Sequence, residues 1–169
     1  RVTATSTLPP SPIPSPTMDA SCISGNKPLQ VAWSSDGSMM AVTSLAGVYI
    51  FDANNYSLLK FLSVNNSTGG ISFDPISDSL YVTTNDKVLK MRLNTGEIIQ
   101  TFDEEANIVD TAIVSQDGKK LLVSTDNGLI TIWDVTSGKI WKENKSMFIS
   151  EDVVFSDIRH VVASPDFAW

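Results

Sequence analysis

Histidine and cysteine are scarce in this chain, and their scarcity excludes several kinds of chemistry. The 169 residues include one histidine, His160, and one cysteine, Cys22. A lone cysteine cannot close an internal disulfide, and neither residue alone can build a histidine or thiolate metal site. No G-x-S-x-G motif, the signature of a hydrolase nucleophile, occurs in the sequence. This inventory predicts a noncatalytic protein that holds no cofactor and no metal.

Basic residues and long apolar runs are also scarce. Lys and Arg number 12 against 19 Asp and Glu, which gives a formal net charge of -7. Nucleic acids and anionic membranes bind clustered Lys and Arg, so we expect no nucleic-acid partner. No run approaches the roughly 18 consecutive apolar residues of a spanning helix, so we expect no direct membrane insertion.

The first residues are rich in Pro, Ser and Thr, and we assign 1–28 to a flexible leader. Such spacers join anchors or other domains to outward-facing modules, which favours an extracytoplasmic location, with a cytoplasmic linker as the alternative. The sequence leaves the location unknown. Because the chain opens on Arg1 and ends directly after a strand-like segment, we expect it to be part of a longer protein.

From Leu29 onward, short alternating apolar runs are separated by turn residues, a pattern typical of many antiparallel strands. Four segments align on equivalent positions that lie 40, 41 and 41 residues apart, namely Trp33, Phe73, Val114 and Phe155. A second equivalent position holds Phe51, Met91 and Trp133. We predict four-stranded units over about 29–62, 70–102 and 107–143, and an incomplete one over 152–169.

The third repeat, VSQDGKKLLVSTDNGLITIWDVTSGK, resembles the WD40 family in its S-x-D-G turn and its Trp133-Asp134 dipeptide. The resemblance implies an all-β, partial β-propeller of four-stranded antiparallel blades, with three blades and the start of a fourth. It also implies a protein-interaction scaffold. The Gly-His pair of many family blades is absent, so at most Ser124, Asp126 and Trp133 are left for its hydrogen-bonded network.

The repeat-equivalent aromatic residues are interpreted as structural positions of the blades. We expect packing between blades, rather than ligand stacking, at each of them. Together with the aspartate of the dipeptide, these structural positions are Trp33, Phe73, Trp133, Asp134 and Phe155.

Acidic residues are predicted to form a rim on one face of the blades. The rim consists of Asp103, Glu104, Glu105, Asp126 and Glu151. Their spacing does not match a calcium loop, so we interpret them as a solvated surface that attracts a basic protein or peptide partner. Other partners expected are the remaining blades of the same protein or a second copy of the chain. Two alternatives stay open: a propeller enzyme or ligand sensor whose active groups lie outside this chain, and a structural cell-envelope repeat protein.

Overall fold

Three antiparallel β-sheets make up the part of the chain that the structure describes. The computed structural model describes residues 27–103, residues 108–144 and Ser164. The sheets confirm the prediction of an all-β chain built from four-stranded blades. The predicted leader, apart from its last two residues, and the predicted start of a fourth blade, apart from Ser164, lie outside the described residues. Within the described ranges, no helix is long and apolar enough to cross a membrane.

The strands of each blade follow one another in chain order. The first blade contains β1 (Val31–Trp33), β2 (Met39–Ser44), β3 (Gly47–Asp52) and β4 (Leu58–Ser63). The second blade contains β5 (Ser67–Phe73), β6 (Ser79–Thr84), β7 (Lys87–Arg92) and β8 (Ile98–Asp103). The third blade contains β9 (Val109–Val114), β10 (Lys120–Thr125), β11 (Ile130–Asp134) and β12 (Lys139–Asn144).

The pairing between the third and fourth strands repeats in all three blades, including its irregularity. Each pairing shifts register at the same point, just before the repeat-equivalent residues Phe51, Met91 and Trp133. One residue of each outer strand therefore bulges out of the ladder, and these residues are Leu59, Ile99 and Trp141. All three are exposed. The shared bulge shows that the sequence repeat is also a structural repeat.

The turn chemistry of the first and third blades explains how their first hairpins close. The hydroxyl of Ser34 donates to the Asp36 carboxylate at 2.6 Å, and that of Ser115 donates to Asp117 at 2.7 Å. Each aspartate precedes a glycine with positive φ, 71° at Gly37 and 69° at Gly118. Glycine adopts this conformation without the steric penalty of a side chain, so the Asp-Gly pairs fix both turns.

Alternation along the strands gives each blade two faces, and the core lies between neighbouring blades. Apolar residues of the first blade, such as Ile50 and Leu62, pack with Phe73 and Met91 of the second in one buried cluster. A second cluster joins the second blade to the third, through Phe102 and Trp133 among others. Blade stacking therefore buries what a single sheet would leave exposed.

Because neighbouring strands are antiparallel, successive connections lie at opposite ends of each blade. We call linker face the end that carries the turns between second and third strands, at 45–46, 85–86 and 126–129, and the residues between blades at 64–66 and Ile108. We call hairpin face the opposite end, which carries the other turns of each blade. Two residues of the predicted acidic rim, Asp103 and Asp126, lie on the linker face.

Candidate functional site

Asp103 and Asp126 are the members of the predicted rim that the structure describes, and both lie on the linker face. Asp103 ends β8, and its 70% exposed side chain lies 3.6 Å from the Lys87 ammonium. Asp126 is half-buried, and its backbone amide donates to the Ile108 carbonyl at 2.9 Å, next to the segment that follows Asp103. Glu104, Glu105 and Glu151 lie outside the described residues.

Lys87 sets the charge balance of the linker face. Its ammonium lies 3.2 Å from Asp86 and 3.6 Å from Asp103, and the adjacent Asp86 raises the pKa of Lys87. Sequence analysis did not include Asp86 in the rim. The turns and linkers of this face that the structure describes carry the carboxylates of Asp86, Asp103 and Asp126, against the ammonium of Lys87 and that of Lys27 in the segment before β1. The excess charge is negative.

Three carboxylates on the hairpin face, those of Asp36, Asp117 and Asp134, are engaged by their own turns. The Ser34 hydroxyl and then the amide and hydroxyl of Ser38 hold the pKa of Asp36 at about 2. Hydrogen bonds from Ser115 lower the pKa of Asp117 in the same way, and those from Ser137 lower the pKa of Asp134. These three carboxylates stabilise turns, whereas Asp86, Asp103 and Asp126 on the linker face have no such role.

Phe73 and Trp133 are buried between blades, whereas Trp33 is not. The Trp133 ring meets Phe102 of the preceding blade edge to face, with ring centroids 5.6 Å apart. Trp33 is 53% exposed, so the expected packing between blades does not hold there. Phe73 is covered by the first blade, whereas no other described sheet covers the corresponding side of β1. Phe155 lies outside the described residues.

Asp134 and Ser124 are polar residues of the third blade that the family pattern singles out. Their side chains differ in hydrogen bonding. The Asp134 carboxylate accepts hydrogen bonds from the amide and hydroxyl of Ser137, at 2.7 and 2.8 Å, and so closes the last hairpin of its blade. The Ser124 hydroxyl is buried and has no hydrogen-bond partner in the part of the chain that the structure describes. Ser124 therefore does not join the partial network that the sequence left open.

A buried ion pair in the second blade was missed by sequence reasoning. The Lys90 ammonium lies 2.7 Å from the Asp74 carboxylate, and their side chains are only 13% and 3% exposed. The same ammonium lies 5.2 Å from the centroid of the buried Tyr81 ring. Asp74 also accepts hydrogen bonds from the Ile76 amide and the Ser77 hydroxyl. The pair thus ties the first turn of this blade to its third strand.

Burial and hydrogen bonding have opposite effects on the pKa of Asp74, whereas burial and charge both raise the pKa of Tyr81. Burial raises the pKa of Asp74, but hydrogen bonds from Lys90, Ser77 and the Ile76 amide outweigh it, so the pKa lies below its ordinary value. Burial and the nearby Asp74 charge raise the pKa of the Tyr81 hydroxyl. That hydroxyl has no hydrogen-bond partner among the described residues. The cluster is a structural element rather than an exposed reactive group.

A groove of about 260 Å³ opens between the first and second blades on the linker face. Val64 and Met91 line its buried part, and Leu89 and Ile98 extend the apolar wall outward. Asp86 and Lys87 line its polar end. We call this space the first interblade groove. No group of three or more His, Cys, Asp or Glu side chains suited to a metal ion occurs in the described ranges.

Comparison with known proteins agrees with this repeat architecture. A family model described as "Anaphase-promoting complex subunit 4 WD40 domain" matches residues 71–151. The chain is also similar to Autophagy-related protein 16 of Arabidopsis thaliana, with 30% identity over 101 residues. That match covers 57% of this chain and 20% of the relative. These matches and the repeat architecture support a WD40-repeat family for the chain.

Solved structures show the same fold at low sequence identity. A chain from "Crystal Structure of Mitotic Checkpoint Complex" superimposes with a TM-score of 0.70 and 19% identity, over 83% of this chain and 41% of that chain. A chain of Kuenenia stuttgartiensis hydrazine synthase superimposes with a TM-score of 0.62 and 19% identity, over 69% and 35%. This chain therefore spans less than half the length of these relatives, and the likeness to them shows the fold alone.

Proposed function

We propose that this chain is a noncatalytic protein-interaction scaffold whose linker face binds a basic protein or peptide. WD40 repeats are in general platforms for protein interaction, and that general role is the part supported by the family-model match. The basic partner and the linker face are our extension of it. Stacked sheets hold the turns and linkers in fixed positions, which is how a rigid scaffold presents a binding surface.

The observation that carries the proposal is the different use of carboxylates at the two ends of the blades. On the hairpin face, Asp36, Asp117 and Asp134 are bound by hydroxyl and amide groups of their own turns. On the linker face, the Asp126 carboxylate has no hydrogen bond or ion pair within the described residues, and Asp103 shares one ammonium with Asp86. A surface with excess negative charge attracts cationic partners and orients them before contact.

Charge reversal at the linker face tests the proposal. The wild-type chain would be used to capture a partner protein from the native host. The purified partner would then be titrated with the wild-type chain and with its Asp103→Lys/Asp126→Lys variant. Reversal should weaken binding about tenfold or more, because two screened ion pairs become two repulsions. The affinity should also fall as salt is added.

A matched variant on the hairpin face provides the control. Glu97→Lys/Asp78→Lys changes the net charge by the same amount, and Glu97 is an exposed carboxylate 3.5 Å from Arg92, as Asp103 is near Lys87. This control should bind the partner as the wild type does. Equal binding by the linker-face variant, with unchanged circular dichroism, would refute the proposed surface.

A further inference from the structure

At the interface that contains the first interblade groove, smaller side chains occupy positions where the next interface has aromatic rings. In register, the second blade holds Met91 where the third holds Trp133. The first blade holds Leu62 where the second holds Phe102. The two interfaces are otherwise built from the same strands in the same order.

Aromatic packing shows how the second interface fills the corresponding space. Phe102 and Trp133 meet with centroids 5.6 Å apart, and Tyr81 lies 6.2 Å from Phe102. The residue equivalent to Tyr81 in the first blade is Ala41. Leucine, methionine and alanine cannot fill the volume of these three rings, so the first interface keeps an apolar hollow that opens to the surface.

Asp86 and Lys87 line the polar end of the groove, and Asp103 lies beside this end, where it adds a second carboxylate near the Lys87 ammonium. Lys87 is shared by Asp86 and Asp103, whose side chains are 59% and 70% exposed. Two exposed carboxylates near one ammonium leave one negative charge unpaired, and this charge can bind a second cation. A ligand that matches the groove therefore combines an aliphatic group with a positive charge beside it.

We propose that the first interblade groove binds an aliphatic side chain of a partner protein that is followed directly by Lys or Arg. The inference rests on the proposed function, because it specifies how part of the partner contacts the linker face. The volume of about 260 Å³ is smaller than a pocket for a drug-sized ligand, roughly 300 to 1,000 Å³, and suits a single side chain. The aliphatic group contacts Val64, Met91 and Ile98, and the cation pairs with Asp86 and Asp103.

Three capped dipeptides test the two halves of this match. N-acetyl-leucyl-arginine amide, N-acetyl-leucyl-glutamate amide and N-acetyl-seryl-arginine amide would be titrated into the chain while methyl NMR signals of Met91 and Leu89 are followed. The leucyl-arginine peptide should bind in the millimolar range, about fivefold tighter than the leucyl-glutamate peptide. It should bind about tenfold tighter than the seryl-arginine peptide, because only leucine buries apolar area.

A groove-filling variant separates binding in this groove from binding elsewhere. Leu62→Phe/Met91→Trp introduces the aromatic pair that already packs between the second and third blades, and it should abolish the shifts of Leu89. Should this variant fail to fold, Leu89→Thr serves instead, since threonine is buried at that register in the third blade at Thr131. It should weaken leucyl-arginine binding severalfold with little change in groove volume.

Each result decides one of the two proposals. Absence of leucyl-arginine binding at millimolar concentration, equal affinity for all three peptides, or unchanged binding by a folded groove-filling variant would overturn the groove proposal. Loss of the partner on charge reversal would then still support the linker face. Peptide binding in the groove, combined with partner binding that charge reversal leaves intact, would overturn the proposed function alone.

Discussion

Replacing Asp74 by serine should destabilise the chain strongly, because the change leaves the Lys90 ammonium buried without its partner. The two side chains are 3% and 13% exposed, and their charged atoms lie 2.7 Å apart. Removing one partner of a buried pair costs about 3 to 5 kcal/mol. Lys90 is slightly exposed and has a flexible stem that can carry its charge toward water, so we expect the lower end, about 3 kcal/mol.

Lys90→Ile should be destabilising by a similar amount, about 2 to 3 kcal/mol, because Asp74 then loses its cation while remaining buried. Its carboxylate would keep only the Ile76 amide and the Ser77 hydroxyl. The double variant replaces both charges by the residue types that the other blades hold at these registers. Those residues are Ser34 and Ile50 in the first blade, and Ser115 and Ile132 in the third.

The double variant Asp74→Ser/Lys90→Ile should lie within about 1 kcal/mol of the wild type, since an apolar replacement of a buried pair is often neutral. The measurement is urea unfolding of the four chains, followed by tryptophan fluorescence and circular dichroism. Their double-mutant cycle should give a coupling free energy above about 3 kcal/mol. Additive effects of the two single changes, or single changes without effect, would refute the reasoning.

The pH dependence of the cycle gives a second check on Asp74. The folded-state pKa of Asp74 lies below its ordinary value of 3.8, so its ionised form stabilises the fold above that value. This stability is lost as pH falls through the lower, folded-state pKa. The difference in unfolding free energy between wild type and Asp74→Ser should therefore be constant near neutral pH and shrink below about pH 4. A difference that grows on acidification would contradict the assignment.

Two further predictions concern packing between blades and the open side of the first blade. Gly70→Ala should lower the free energy of unfolding by about 1 to 3 kcal/mol in the same assay, because its Cβ would lie 2.7 Å from the Asp110 carbonyl. Gly37→Ala has nothing within 4 Å of its Cβ and should lower the free energy of unfolding by only about 1 kcal/mol, from its positive φ. Equal losses of stability in the two variants would contradict the role of packing at Gly70. The chain should also self-associate as its concentration rises in analytical ultracentrifugation, through a surface that includes the exposed Val31 and Trp33. Trp33→Ser should reduce this association. A wild-type chain that stays monomeric at all concentrations would rule out self-association through this surface.

The blade repeat could be predicted from sequence because it depends on local patterns. Alternation of apolar residues identifies strands, and Asp-Gly pairs such as Asp36-Gly37 identify the hairpins between them. A recurrence every 40 or 41 residues then shows that the strands form one repeated unit. The alternation and the recurrence survive even in the second blade, which has no Asp-Gly pair and holds Met91-Arg92 in place of the Trp-Asp dipeptide.

The ion pair and the groove depend on contacts between strands and blades that no local pattern records. Lys90 lies at a register where the other blades hold buried isoleucines, and only the tertiary position of Asp74 explains its burial. The groove depends on the sizes of Leu62 and Met91 on two different sheets. An alignment of the three repeats places Lys90 where the other blades hold isoleucine and Asp74 where they hold serine. This pair of unusual residues is the signal that could have revealed the ion pair.

The exposure of Trp33 has the same origin. Its repeat-equivalent position predicts packing between blades, but packing requires a neighbouring sheet on the correct side. Phe73 has that neighbour in the first blade, and Trp133 has it in the second. A repeat position therefore predicts which side chain can be covered, whereas the blade arrangement decides whether it is.

Hydrogen–deuterium exchange of the chain with its purified partner tests the central claim, binding at the linker face, most directly. Complex formation should slow exchange of backbone amides in the linker-face segments 64–66, 85–87 and 126–129. The hairpin-face turns at 35–38, 75–78 and 116–119 serve as internal references and should exchange at the same rate with and without the partner. Protection confined to the hairpin-face turns or to the outer strands β4, β8 and β12 would contradict the account.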